Sequence, residues 1–130
     1  MRHRKSNKRL GRSTAHRLAL RRNLVRSLFL SYNESKYILT TVEKAKFVKP
    51  FAEKLITLAK DKTLHNYRRG LKLLGDEDAG KTLFDDIGPA YRERPGGYTR
   101  IVRTAKKRLG DKASMACSDS FSTGRLRPPR

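Results

Sequence analysis

Residues 75–82, GDEDAGKT, have the phosphate-loop spacing G-x-x-x-x-G-K-[ST]. That motif works by wrapping backbone N–H groups around a triphosphate at a strand-to-helix turn, with the lysine on the outer phosphates and the hydroxyl on magnesium. Here Asp76, Glu77 and Asp78 occupy three of the four intervening positions and repel phosphate. Leu71 to Leu74 end a helical pattern, not a strand, and no apolar strand ending in Asp follows. The reading is a helix stop at Gly75 and a new helix start, not nucleotide hydrolysis. His3, His16 and His65 lack metal-ligand spacing, and no H-E-x-x-H or Ser/His/Asp arrangement stands out. Cys117 is the only cysteine. It permits no intramolecular disulfide and no multi-cysteine zinc site, and it reads as a buried structural thiol. The chain is therefore expected to be no enzyme, with no cofactor, no catalytic or metal site and no small-molecule substrate.

Charge is the stronger chemical signal. The 130 residues carry 32 Lys and Arg against 12 Asp and Glu, a net charge of +20. Self-repulsion at that level opposes a compact monomer, and a polyanion relieves it. Nucleic acid gains further from counterion release at each neutralised phosphate. Ten of the cations fall within the first 26 residues, and the first acid is Glu34. Uninterrupted apolar runs such as Leu18-Ala19-Leu20 are too short for a transmembrane or secretory segment, so no membrane partner is expected. The Arg-rich, acid-free start also has the composition of a transit peptide.

The elements that must position these groups follow from periodicity. Residues 1–12, MRHRKSNKRLGR, hold one large aliphatic residue after Met1 and read as a basic arm that is disordered alone. Ser13 has the chemistry of an N-cap, and Ala15, Leu18, Ala19, Val25, Leu28, Phe29 and Tyr32 mark a helix over 14–32, apolar on one side and cationic on the other. Residues 35–40 read as a strand. Thr40 and Glu43 have capping-box spacing before a helix with Ala45, Val48, Ala52, Leu55, Ile56 and Ala59 inward, kinked or divided near Lys49 by Pro50. Thr63 caps a third helix with Leu64, Tyr67, Leu71 and Leu74 inward, stopped by Gly75. Asp76 caps a fourth, which ends at Gly88-Pro89 and carries the one anionic face, expected to point away from a polyanion. Tyr98 to Thr104 and residues 113–121 read as strands joined as a hairpin across a basic loop at 105–112. In the last strand Ala113, Met115, Cys117 and Phe121 share the apolar face. Residues 122–130 read as a basic flexible tail, and no internal repeat is present.

Gly96-Gly97-Tyr98-Thr99-Arg100 combines close backbone approach, a ring, a hydroxyl and a guanidinium. That set suits gripping phosphate and stacking on an unpaired base. An ordinary turn with Tyr98 packed on the core explains it equally well.

Five separated motifs together carry a family resemblance: Met1-Arg2-His3-Arg4-Lys5, Ser13-Thr14-Ala15-His16-Arg17, Thr40-Thr41 with Lys44-Ala45-Lys46, residues 55–60 (LITLAK), and residues 95–101 (PGGYTRI). Over about residues 1–116 the chain resembles the bacterial large-subunit ribosomal protein L-seventeen family. The resemblance implies one α/β domain with an N-terminal extension penetrating 23S rRNA, placed near the nascent-peptide tunnel exit beside other large-subunit proteins. It implies a cytoplasmic, ribosomal location and argues against the transit peptide. The polar Cys117-Ser118-Asp119-Ser120 and the Pro-Arg tail depart from the family's ending.

The expectation is an α+β fold of about four helices on a small mixed or antiparallel sheet of about three strands, with arm 1–12, body 13–121 and tail 122–130. Its function is to bind and stabilise rRNA as a structural constituent of the large ribosomal subunit. The expected contacts are Arg2, His3, Arg4, Lys5, Lys8, Arg9, Arg12, His16, Arg17, Arg21, Arg22, Gly96, Gly97, Tyr98, Thr99 and Arg100. The alternative is a DNA-binding, nucleoid-type basic protein, which charge permits but for which no helix-turn-helix or zinc-finger spacing is evident.

Overall fold

In the computed structural model, residues 8–119 are described. Arg2, His3, Arg4 and Lys5, most of the arm, Phe121 and the tail 122–130 lie outside them.

Helix α1 spans Thr14–Leu30, and the Ser13 Oγ accepts from the His16 backbone N–H at 3.4 Å. It tightens into a 3-10 turn, Ser31–Asn33, where a longer helix was expected. Only Val25, Leu28 and Phe29 of its stripe are buried. Ala15, Leu18 and Ala19 are exposed, Leu18 at 44%. The apolar repeat outruns the elements able to cover it, so the leading half of α1 stands clear of the core.

Strand β1, Tyr37–Thr41, leads directly into helix α2, Val42–Ala59. The cap is Thr41, one residue later than expected, and its side chain bonds no backbone N–H. Thr40 instead faces the core within the strand, 8% exposed. The helix is not divided at Pro50. An exposed proline forfeits one hydrogen bond while the packing of Val48, Ala52 and Leu55 holds both halves in place.

Helix α3, Leu64–Leu74, has the expected ends: the Thr63 hydroxyl accepts from the Asn66 N–H at 3.2 Å, and Gly75 closes it at φ +65. Asp76 then caps α4, Glu77–Lys81, by accepting from the Ala79 N–H at 3.3 Å. The run continues as a π-helical segment, Thr82–Ile87, and a last turn α5, Gly88–Ala90. A Cβ on Gly88 would lie 2.4 Å from the Ala59 carbonyl oxygen, so this run and the end of α2 meet backbone to backbone.

Strands β2, Arg100–Lys107, and β3, Ser114–Asp119, complete an antiparallel sheet in the order β1-β3-β2. The hairpin was expected. Strand β2, however, begins two residues late and extends into the expected loop, with a register irregularity between Arg103 and Lys107. The core side of β3 is also the opposite of the one expected. Ala116, fully buried, pairs with the core-facing Thr40, whereas Cys117, although buried, lies in the other row between Leu39 and Val102. Alternation sorts residues into two faces but does not say which face is covered. The small Ala116 suits a sheet set close against α2. Most of the core is nevertheless interhelical: Val25 and Phe29 from α1, Leu55 and Ile56 from α2, Leu74, and Leu83, Phe84 and Ile87 from the fourth run.

Candidate nucleic-acid interface

The end of the arm folds onto α1. Leu10 and Gly11 both have positive φ, 52 and 62, and turn the chain so that the Arg12 N–H reaches the Arg9 carbonyl at 3.1 Å. Arg12 donates to the Leu10 carbonyl at 3.0 Å. Arg17 donates to the Arg12 carbonyl at 3.0 Å and to Thr14 Oγ1 at 3.1 Å. None of these partners is an acid, so the cationic charge stays uncompensated. Arg9, His16 and Arg22 are exposed. The Arg21 guanidinium lies 4.3 Å from the Phe51 ring centroid, and its buried Nε has no hydrogen-bond partner among the described residues. Lys8 Nζ sits 3.1 Å from Glu43 Oε2. The hydrogen bond and charge of Lys8 hold the Glu43 carboxyl below its ordinary range, with Lys46 and Arg103 adding to the effect.

Two depressions flank this region. A 240 Å³ cleft is lined by Lys8, Arg21, Lys46, Phe47, Phe51 and Lys54, with Pro50 at its edge. A 440 Å³ depression, where the arm meets the start of α2 and the β2–β3 turn, gathers Arg12, Lys44, Arg103 and Arg108, with Glu43 among them. Lys44, Lys46, Lys54 and Arg103 were not among the expected contacts. The signal of the three lysines in the sequence was the polar side of α2, away from its buried stripe, and Arg103 lies on β2; only the fold brings both to the arm.

The Gly96–Arg100 segment lies on a different face of α2. Tyr98 is 5% exposed, packed edge-on against Tyr91 at 5.6 Å between centroids, with Lys60 Nζ 4.8 Å from its ring centroid. Thr57 Oγ1 lies 3.4 Å from its hydroxyl. Burial pushes the Tyr98 phenol up, but the hydrogen bonds of Lys60 and Thr57 and the charge of Lys60 outweigh it and leave the pKa below the ordinary value. Thr99, also buried, donates to Glu53 Oε1 at 2.9 Å. Of the two readings of this segment, the packed tyrosine is the one observed. Gly97, at φ +62 with open space around it, and Arg100 remain exposed.

The phosphate-loop spelling has no loop behind it. Helix α3 precedes it, Gly75 is a helix stop, and Lys81 Nζ lies 3.1 Å from Glu77 and 3.9 Å from Asp78. Arg26, the last cation of the leading run, is engaged here. Its Nε donates to the Leu74 carbonyl at 2.7 Å and its Nη2 to the Gly75 carbonyl at 3.0 Å. Such bonds satisfy the orphan carbonyls of α3. Asp85 pairs with Lys62 at 2.6 Å, and Asp86 accepts from Asn33 at 3.1 Å. Among the described residues no group of His, Cys, Asp and Glu is placed to hold a metal, and no helix is long and apolar enough to cross a membrane.

Residues 20–119 match the family model described as Ribosomal protein L17. The chain is 49% identical over 116 residues to the large ribosomal subunit protein bL17 of Gemmatimonas aurantiaca, covering 89% of this chain and 94% of that one. It is 53% identical over 106 residues to the protein of the same name from Carboxydothermus hydrogenoformans, covering 82% and 90%. It is 49% identical over 115 residues to that of Maridesulfovibrio salexigens, covering 88% and 79%.

Proposed function

Since this chain belongs to the ribosomal protein L17 family, we propose that its arm and the leading half of α1 anchor it in folded 23S rRNA, near the nascent-peptide tunnel exit and beside neighbouring large-subunit proteins. Family membership makes it a structural constituent of the large ribosomal subunit, not an enzyme, with rRNA and other ribosomal proteins as partners and the ribosome, cytoplasmic in bacteria, as its place. The tunnel-exit position rests on the family resemblance.

One observation carries the rRNA reading: ten cations precede the first acid, and α1 leaves its share of them without acidic partners among the described residues. Arg2, Arg4, Lys5, Lys8, Arg9, Arg12, Arg17 and Arg21 bind phosphates across several RNA segments, with His3, His16 and Arg22 extending the surface. Such contacts fix position and read little sequence, so specificity comes from RNA shape. At the far side of α2, Gly96, Gly97 and Arg100 approach the RNA backbone while Tyr98 and Thr99 hold the loop. The arm is residues 1–12, the domain 13–121 and the tail 122–130.

Co-sedimentation of the full chain with large subunits tests this. Deleting residues 1–12 is expected to preserve helical circular dichroism and to prevent stable incorporation. Normal incorporation of the truncated chain would remove the arm as anchor, and preference for duplex DNA over folded rRNA at matched salt would replace the reading altogether.

A further inference from the structure

The cleft between the arm, α1 and α2 holds features that phosphate binding alone does not require. Phe47 and Phe51, one helical turn apart, are neither fully buried nor free, and both edge into it. The Arg21 Cζ lies 4.3 Å from the Phe51 ring centroid, and its Nε is buried without a hydrogen-bond partner among the described residues. Arg21 and Lys54 have no hydrogen-bond or ion-pair partner among the described residues. Lys8 and Lys46 share the edge acid Glu43, at 3.1 and 3.9 Å. Four cations thus meet one carboxylate around a small apolar floor.

We propose that this cleft takes one unpaired nucleotide, its base stacked on the Arg21–Phe51 pair and its phosphates held by Lys54 and Lys46. This deepens, and rests on, the reading of the chain as an rRNA-binding protein. Stacking on aromatic rings and on guanidinium planes is how proteins hold splayed-out RNA bases. At 240 Å³ the space suits a single base and excludes a duplex. An acidic peptide would satisfy the lysines but leave the apolar Phe47–Phe51 lining without a matching group. The cleft is also continuous with the proposed phosphate-binding surface, since Lys8 of the arm and Arg21 of α1 both line it.

Ultraviolet cross-linking of the full chain bound to folded 23S rRNA, followed by tryptic digestion and mass spectrometry, tests the assignment. Pro50 protects Lys49 from trypsin, so residues 47–54 form one peptide. A nucleotide adduct is expected on that peptide. Loss of one stacked base corresponds to about tenfold weaker local binding, so Phe51→Leu and Arg21→Ala should each cut the adduct about tenfold while adducts on the arm persist. Arg21→Ala leaves the core untouched and guards against a folding artefact of Phe51→Leu. Adducts on the arm and none on residues 47–54 would refute the cleft and leave the rRNA reading standing. Shielding of Lys46 and Lys54 from acylation in whole subunits, but not on rRNA alone, would refute it in favour of a protein neighbour. No adduct anywhere would refute both.

Discussion

The leading half of α1 and the helical run from Asp76 to Ala90 treat their cations in opposite ways. Among the described residues, Arg17, Arg21 and Arg22 have no acidic partner, and two of them touch only carbonyl, hydroxyl or ring partners. Lys81 is enclosed by Glu77 and Asp78, and Lys62 across from the run is fixed by Asp85. The second region spells a phosphate-binding motif and the first spells none, yet only the first offers charge to a phosphate. Electrostatic availability is thus a property of partners, not of letters. The Tyr98–Thr99 pair teaches the same lesson with neutral groups, since both hydroxyls and the ring are already engaged within the fold.

The largest expected effect comes from neutralising the available cations. Replacing Arg17, Arg21 and Arg22 together with Gln should weaken rRNA binding by about 10²-fold near physiological salt, by filter binding, because each lost phosphate contact forfeits its counterion release. The melting temperature should barely move, since α1's leading half contributes little to the core. A large fall in melting temperature would show that this half is structural after all.

Arg26 sharpens the comparison from within the same run. Its bonds to the Leu74 and Gly75 carbonyls make it a structural cation, so Arg26→Ala should lower unfolding free energy by about 1–3 kcal/mol in urea titration and leave RNA affinity nearly unchanged. The reverse pattern would put Arg26 at the RNA.

The smallest effect belongs to the β2–β3 turn. Hydrogen bonds from Arg108 and from the Ala113 N–H hold the Asp111 carboxyl down to about 2, below its ordinary value of about 3.9. The sign is that of a depressed acid: the pairing is complete above pH ~4 and is lost as pH falls toward 2. Carboxyl chemical shifts should place the midpoint near 2, and an ordinary midpoint would mean the turn is open in solution. The pair lies on the surface, open to solvent, so overall stability should hardly register it.

Much of the architecture was legible because its signals are local. Ser13, Thr63, Asp76 and Gly75 are each cap or stop residues whose own chemistry fixes a chain direction, and each sits where it was read. What failed depends on distant partners. Thr40 and Thr41 are equivalent as caps until β1 pairs with β3 and turns Thr40 inward. The apolar repeat of α1 cannot show that its first turns have nothing to pack on. The two faces of β3 are distinguishable only once α2 lies on one of them. At the interface, the leading run of cations was plain, but Lys46, Lys54, Phe47 and Phe51 join it only through the packing of α1 on α2. Arg26 leaves it through a bond to a helix end some fifty residues away.

The most direct test removes equal charge from the two kinds of site. One variant carries Arg17, Arg21 and Arg22→Gln, and the other Lys49, Lys62 and Lys81→Gln, whose cations are all paired with acids and line neither basic depression. The salt dependence of rRNA binding is then measured for each. The first variant should lose about 2–3 from the slope of log affinity against log salt, and the second close to none. Equal losses would mean that overall charge, and not the uncovered half of α1, draws this protein to RNA.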